Sequence, residues 1–176
     1  MPILIALLGI LGGAYFWMNR ARNAAHMAGD LADAAQTALG AARRFGFRRQ
    51  ANKHPVECIE DPSLAIGSLT LAFFQLGTMP TEQQKTALLV AFQNQLRVSL
   101  TDAEEIMTLG HWFVQECKGA TPAVTRLSKK VWKLQGAAGL EPTMAIIQDI
   151  TDSAGSDLND RQVEALGDIK RAFHVK

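Results

Sequence analysis

Residues able to carry acid–base chemistry are few in this sequence. Glu104, Glu105 and His111 fall on or near one predicted helix, and a carboxylate beside an imidazole is a familiar acid–base pair. The offset of seven residues from Glu104 to His111 is more typical of a solvent-exposed stripe. The sequence has no Gly-rich phosphate loop after a strand, no G-x-S-x-G motif and no H-E-x-x-H pair. We therefore predict that the protein is not an enzyme and that it has no catalytic, cofactor or metal residues.

The two cysteines, Cys58 and Cys117, are far apart in the sequence and belong to no C-x-x-C motif. This spacing indicates neither a disulfide framework nor a zinc site. We predict two reduced, packed thiols in a reducing compartment, since free cysteine is commonly buried. Trp112 and Trp132 fall on apolar helix faces, and we expect both to belong to the core.

The 176 residues have a formal net charge of +1, but the charge is divided unevenly. Residues 1–54 contain seven Lys or Arg and two Asp, whereas the remainder contains eleven basic and fifteen acidic residues. A basic segment suits anionic lipid headgroups, while an acidic remainder disfavours the phosphate backbone of nucleic acid. We therefore expect contact with membrane lipid and no nucleic-acid partner.

Residues 2–18 form an uncharged, mostly apolar stretch, long enough for a short transmembrane helix. Tyr15, Phe16 and Trp17 close this stretch, and Arg20 and Arg22 follow. Aromatic rings favour the membrane interface, and positive charge is retained on the cytoplasmic side. The sequence predicts a single-pass protein of the bacterial inner membrane, with its N-terminus outside and its C-terminal domain in the cytoplasm.

Small residues recur at helix-packing intervals in and after this stretch. Gly9 and Gly13 have the G-x-x-x-G spacing that lets two membrane helices approach closely. A heptad-like stripe follows in the juxtamembrane helix, and a solvated spacer helix is the alternative interpretation of it. Its leading members are Ala24, Ala28, Leu31 and Ala35.

A basic and aromatic neck connects this helix to the rest of the chain. Its cations suit an anionic membrane surface, where each contributes roughly 1 kcal/mol. Nucleic acid is the alternative ligand for such a run, and the neighbouring predicted anchor favours lipid. The predicted membrane-surface residues are Arg20, Arg22, Arg43, Arg44, Arg48, Arg49 and Lys53.

The remainder shows helical periodicity with recognisable start signals, which predicts an all-α protein with a compact bundle of about six helices. The predicted caps are Asp61 before Pro62, Thr81 with Gln84, Thr101 with Glu104, and Asn159 with Gln162. Similar turns near Gly77 and Gly155 indicate two pseudo-repeated helical hairpins. The predicted domains are an anchor (1–19), a basic juxtamembrane helix and linker (20–54) and a helical domain (55–176).

The helical domain resembles the TerB-like domain of tellurite-resistance proteins and of membrane-anchored J-domain co-chaperones. The resemblance rests on Leu71-Ala72-Phe73-Phe74-Gln75-Leu76-Gly77 and Asp149-Ile150-Thr151-Asp152-Ser153-Ala154-Gly155, each followed by a capped helix. It implies acidic turns able to take a divalent cation, although Leu76 and Ala154 stand where the family has Asp. His54-Pro55 is followed by Val56, so the H-P-D motif of a J domain is absent.

Three functions are compatible with this organisation. The leading hypothesis is a membrane-tethered helical interaction module on the cytoplasmic face that recruits or stabilises a protein partner. The second is a single-span accessory subunit of a larger membrane complex. The third is a cation-responsive stress protein of the tellurite-resistance type.

Overall fold

The computed structural model describes residues 45–48, 50–77, 82–154 and 157–175. The chain divides into two compact units, residues 1–37 and 38–176, and every described residue belongs to the second. The predicted anchor and the predicted juxtamembrane helix before residue 45 therefore lie outside the described residues.

The described elements are helices and turns, and no strand occurs among them. The α-helices are α1 (Pro62–Phe74), α2 (Glu82–Leu96), α3 (Leu100–Glu116), α4 (Ala120–Gln135), α5 (Leu140–Ala154) and α6 (Asp160–Ala172). A 3₁₀ turn at Pro55–Cys58 precedes α1, and a second at Gly136–Gly139 joins α4 to α5. The prediction of an all-α bundle is confirmed.

Helix α1 is the centre of the bundle. It contains no charged residue, and every residue from Leu64 to Phe73 is buried. A helix that is apolar on all sides must be enclosed by other elements, and α1 packs against α3, α4 and α5. It begins as predicted, because the side chain of Asp61 accepts a hydrogen bond from the backbone N–H of Leu64 at 2.9 Å and Pro62 occupies the first turn.

Helices α1 and α3 approach each other closely at two glycines. A Cβ at Gly67 of α1 would collide with the side chain of Ile106, and a Cβ at Gly110 of α3 would lie 2.7 Å from Cδ2 of Leu71. The second position also faces the backbone of Ser68 at 3.3 Å, which a rotamer change cannot move away. The close contact between α1 and α3 therefore requires glycine at both positions, because any side chain there would collide with the other helix.

The start of α3 differs from the sequence prediction. The capping box of α3 is formed by Ser99 and Asp102, not by Thr101 and Glu104, so the helix begins at Leu100. Both pairs have the required spacing, and the more N-terminal pair forms the cap. Helix α4 begins at Ala120 after Gly119, whose φ of 128° is outside the range that side chains tolerate. The predicted cap of α6 by Asn159 and Gln162 is confirmed.

The predicted fold class is corrected with respect to the membrane. In the described part of the chain, no helix has both the length and the apolar character needed to cross a bilayer. The most apolar of these helices, α1, has 13 residues and rises about 20 Å, whereas the hydrocarbon layer is about 30 Å thick. Its apolar surface is already covered by the bundle.

The prediction of two pseudo-repeated hairpins is also wrong. Helix α1 packs chiefly against α3 and α4, while α2 packs chiefly against α5. Helix α6 packs chiefly against α4, not against the helix that precedes it. The two helices that flank each proposed repeat turn therefore pack against other helices and do not form a hairpin with each other. The enclosed α1 in particular takes its neighbours from distant parts of the sequence.

The aromatic residues of the neck belong to the core of the bundle. Phe47 is buried and meets the rings of Trp112 and Phe113 edge-on, with centroid distances of 5.7 and 5.4 Å. Phe45 is partly buried and packs against the same cluster. The apolar part of the predicted membrane-surface neck therefore contacts protein.

Candidate partner-binding face

Helix α4 has a buried apolar side and an exposed basic side. Arg126, Lys129 and Lys133 are exposed, and their spacing of three and four residues places them on one face. No Asp or Glu occurs between Ala120 and Gln135 to balance them. The buried side consists of Ala123, Val124, Leu127, Ser128, Lys130 and Val131. We call the exposed side, together with the grooves described next, the α4 face.

Two open grooves adjoin this helix and meet along it. The first has a volume of about 800 Å³ and lies between α4 and the end of α3, with Glu57, Glu116, Lys118 and Arg126 among its walls. The second has a volume of about 430 Å³ and lies between α4 and α6, with Trp132, Asp168, Arg171 and His174 among its walls. Thr125 and Lys129 line both grooves, so they form the ridge between them.

The charges on the α4 face are only partly paired. Arg126 lies 3.8 Å from a carboxylate oxygen of Glu57, and Arg171 forms an ion pair with Asp168. Across the described residues, Lys129 and Lys133 make no ion pair with a carboxylate. Like charges three and four residues apart destabilise a helix by roughly 0.2–0.5 kcal/mol per pair. The face therefore carries excess positive charge that an anionic ligand would neutralise.

Trp132 supplies an aromatic wall to the second groove. Its ring contacts Phe173 and His174 edge-on, with centroid distances of 5.9 and 4.8 Å. The indole is partly buried, and it packs against the core as predicted for this residue. It therefore has two roles, since its inner part fills the bundle and its outer part lines a groove beside Lys129.

Lys130, next to Lys129 in the sequence, points the opposite way. Only 5% of it is exposed, and its Nζ donates a hydrogen bond to the carbonyl oxygen of Glu57 at 2.8 Å. Burial lowers the pKa of this ammonium, and the nearby Glu57 carboxylate partly opposes the effect. The contact ties the 3₁₀ turn Pro55–Cys58 to α4, so Lys130 stabilises the wall of the first groove.

His54 and Cys117 are neighbours in the first groove, an arrangement that the sequence did not indicate. The Nε2 atom of His54 lies 4.0 Å from Sγ of Cys117 and 3.4 Å from the carbonyl oxygen of Glu116. Nδ1 accepts a hydrogen bond from the backbone N–H of Val56 at 3.3 Å, so the proton of the neutral ring is on Nε2. Nε2 therefore donates towards Glu116 and cannot take a proton from the thiol.

The surroundings of Cys117 favour the protonated thiol. Burial raises the pKa of Cys117, and the Coulombic effect of Arg126 only partly opposes this. A thiol with a raised pKa contains little thiolate at neutral pH, and thiolate is the nucleophilic form. Cys58 and Cys117 are both free and buried, which confirms the predicted packed thiols.

His111 does not pair with Glu104 in the described structure. Its Nδ1 lies 2.7 Å from Nε2 of Gln75, on α1's C-terminal cap. Desolvation lowers the pKa of the imidazole, and the positive charge of Lys85 lowers it further. A neutral histidine bonded to an amide lacks the carboxylate partner that the acid–base reading required.

The acidic turns implied by the resemblance do not form a cation site in the part of the chain that is described. No group of three or more His, Cys, Asp or Glu side chains there could hold a metal ion. The turn residues 78–81 and 155–156 are outside that part. A further groove of about 240 Å³ adjoins the described ends of both turns, with Phe74, Met107 and Ile150 among its walls.

Most of the residues predicted to bind lipid or to pack helices lie outside the described residues. Arg48 and Lys53 are described, and both are exposed. Their contact with lipid stays a prediction, as does the location at the inner membrane. The residues outside the described ranges are Arg20, Arg22, Arg43, Arg44 and Arg49, together with Gly9, Gly13, Ala24, Ala28, Leu31 and Ala35.

Comparisons with known proteins do not identify a relative. No protein-family model matches the chain, and searches of curated proteins and of solved structures find no match. The resemblance to TerB-like domains therefore stays a prediction.

Proposed function

We propose that the protein is a helical interaction module that binds a protein partner through the α4 face. The observation that carries this proposal is a pair of exposed cations, Lys129 and Lys133, without a carboxylate partner in the described residues. Lys129 lies on the ridge between two open grooves, and Lys133 is exposed on the same side of α4. Charge of one sign concentrated on a surface steers association with a complementary partner.

The rigidity of the face also supports this function. Lys130 fixes the 3₁₀ turn against α4, and His54 bonds the same turn to the end of α3. Trp132 holds the last residues of the described chain against α4 through Phe173 and His174. A surface that is organised before binding loses less conformational entropy when the partner docks.

Site-specific photo-crosslinking in the native host tests this function. A photoreactive amino acid at Thr125, on the ridge, should give one discrete adduct with the full-length protein. The same group at Gln148, exposed on α5, should not give that adduct. The adduct at position 125 should be lost in the Lys129→Glu/Lys133→Glu double variant. The proposal fails if the double variant retains the adduct, or if no adduct with another protein forms at position 125.

Arg161→Glu provides a control for a change of charge. Arg161 is exposed near the start of α6, about 15 Å along that helix from Arg171 in the second groove. Arg161→Glu changes the net charge by the same amount as Lys129→Glu alone. We expect Arg161→Glu to leave the adduct unchanged and Lys129→Glu alone to weaken it. Equal loss in the Arg161→Glu variant would mean that net charge, rather than the α4 face, determines binding.

A further inference from the structure

The charge on the α4 face restricts which part of a partner can dock there. Lys129 and Lys133 have no carboxylate partner in the described part of the chain. The nearby arginines are already paired, Arg126 with Glu57 and Arg171 with Asp168. Residues 1–44 contain Arg20, Arg22, Arg43 and Arg44 against Asp30 and Asp33, so their net charge has the same sign as that of the two lysines. Charge complementarity therefore favours an anionic ligand from another molecule.

The shape of the face favours an extended chain. The two grooves lie on either side of the ridge formed by Thr125 and Lys129, so a chain that occupies both grooves crosses α4 at these residues. Side chains alternate along an extended strand, so carboxylates at alternate positions of such a chain share one side. Where the chain crosses the ridge, that side can face Lys129.

The aromatic wall adds a second feature to the expected ligand. Trp132 lines the second groove next to Lys129, and its ring packs edge-on against Phe173 and His174. An apolar side chain that follows the carboxylates would contact this wall. Burying a leucine-sized side chain against this wall removes apolar surface from water, which favours binding.

Two other anionic ligands fit the face less well. A bilayer surface usually takes up exposed aromatic or aliphatic side chains along with cations. The large exposed hydrophobic residues of the described chain are Val90, Leu100, Val163 and Val175, and only Val175 adjoins a groove residue, His174, in sequence. Single-stranded nucleic acid stacks successive bases on several aromatic side chains, and Trp132 is the one Phe, Trp or Tyr among the described residues that line the two grooves.

We infer that the α4 face binds an acidic, extended segment of the partner protein that crosses the ridge, with carboxylates facing Lys129 and the neighbouring exposed Lys133 and an apolar residue against Trp132. This inference rests on the proposed function, because it specifies what the same face recognises. It adds a class of ligand that can be synthesised and tested directly.

Fluorescence anisotropy with the full-length protein and labelled hexapeptides tests the inference. One peptide has glutamate at alternate positions and a final leucine, and its control has glutamine in place of each glutamate. We expect the glutamate peptide to bind at least about tenfold more tightly than the glutamine peptide, and to lose affinity as salt is raised from 50 to 200 mM. Equal affinity for the two peptides would overturn the inference.

Protein variants locate the binding site. Lys129→Glu/Lys133→Glu should weaken binding of the glutamate peptide at least about tenfold, while Arg161→Glu should leave its affinity within about twofold. A peptide without the leucine should bind more weakly to the wild type. The inference fails if the double variant and the Arg161→Glu variant bind the peptide equally.

Competing ligands give the remaining outcomes. If anionic phospholipid vesicles or single-stranded DNA bind more tightly than the glutamate peptide, and the same double variant abolishes that binding, the inference is wrong and the tighter ligand is the one that the face recognises. Self-association of the wild type that is lost in the double variant would identify a second copy as the occupant. If the peptide fails but the crosslink at Thr125 persists and still depends on Lys129 and Lys133, the inference is wrong and the proposed function stands.

Discussion

The Nδ1 atom of His54 accepts a hydrogen bond from the backbone N–H of Val56, two residues further along the chain. This bond caps the 3₁₀ turn Pro55–Cys58 and leaves the imidazole proton on Nε2, which points towards the end of α3. A histidine that serves as a cap in this way is not available as a base for the neighbouring Cys117. The position of a single proton therefore separates a structural contact from a catalytic dyad.

Alkylation of Cys117 should be slow at neutral pH and independent of a histidine base. In a Cys58→Ala background, we expect the iodoacetamide rate to rise only as the pH passes above the ordinary cysteine pKa, because burial raises the pKa of Cys117. His54→Ala should not reduce this rate. Rapid alkylation at pH 6 that disappears in His54→Ala would show instead that the two residues act as a nucleophile and base.

Lys129 and Lys130 should respond differently to truncation, although they are adjacent. Lys130→Ala removes a buried stem and the hydrogen bond to Glu57, and we expect it to lower the free energy of unfolding by about 2 kcal/mol. Lys129→Ala removes an exposed side chain and should change it by less than about 0.5 kcal/mol. Urea unfolding of both variants measures the difference, and equal effects would contradict the described orientation of the two side chains.

The lowered pKa of Lys130 should also appear in the pH dependence of stability. Between its folded pKa and the ordinary lysine pKa, the unfolded chain holds a proton that the folded chain has released. The unfolding free energy of the wild type should therefore rise with pH in that window, relative to Lys130→Met. A parallel pH dependence for the two proteins, measured by urea unfolding, would argue against a perturbed ammonium.

Gly110→Ala should destabilise the bundle, whereas Gly167→Ala should not. A Cβ at Gly110 meets Leu71 and the backbone of Ser68, and overpacking of this kind costs about 1–3 kcal/mol. Gly167 lies within α6 with open space around its Cα, so alanine there should stabilise the helix by roughly 0.5–1 kcal/mol. Thermal unfolding of the two variants checks the sign, and a stabilising Gly110→Ala would exclude the close crossing of α1 and α3.

The cap of α3 distinguishes two residues that the sequence alone does not. Ser99→Ala removes the side chain that accepts a hydrogen bond from the N–H of Asp102, at a cost of about 1 kcal/mol. Thr101→Ala changes an exposed residue inside the first turn and should cost less than about 0.5 kcal/mol. Urea unfolding compares them, and a larger loss for Thr101→Ala would restore the start predicted from the sequence.

The parts of the fold that were predictable from the sequence are those determined by local chemistry. Asp61 before Pro62 and Asn159 with Gln162 are unambiguous start signals, and both form the expected caps. At Ser99 and Thr101 two capping-box pairs overlap, and the three-residue spacing that both share does not show which pair caps the helix. The pairing of helices also could not be read locally, because the enclosed α1 collects its neighbours from distant parts of the chain.

The candidate site shows the same division. The spacing of Arg126, Lys129 and Lys133 is a basic stripe that the sequence contains and that our sequence reasoning missed. The second groove was not predictable, because Arg171 and His174 reach α4 only through the packing of α6 against it. Likewise, nothing in the sequence distinguishes the inward Lys130 from the outward Lys129 until the direction of α4 is known.

The enclosure of α1 has a consequence for how long the protein survives in a cell. A helix without a polar side cannot leave its neighbours one at a time and remain compatible with water, so the bundle should open as one cooperative unit. Such an opening would present a continuous aliphatic strip to chaperones and proteases. Turnover should therefore follow the frequency of complete opening rather than fraying at either end.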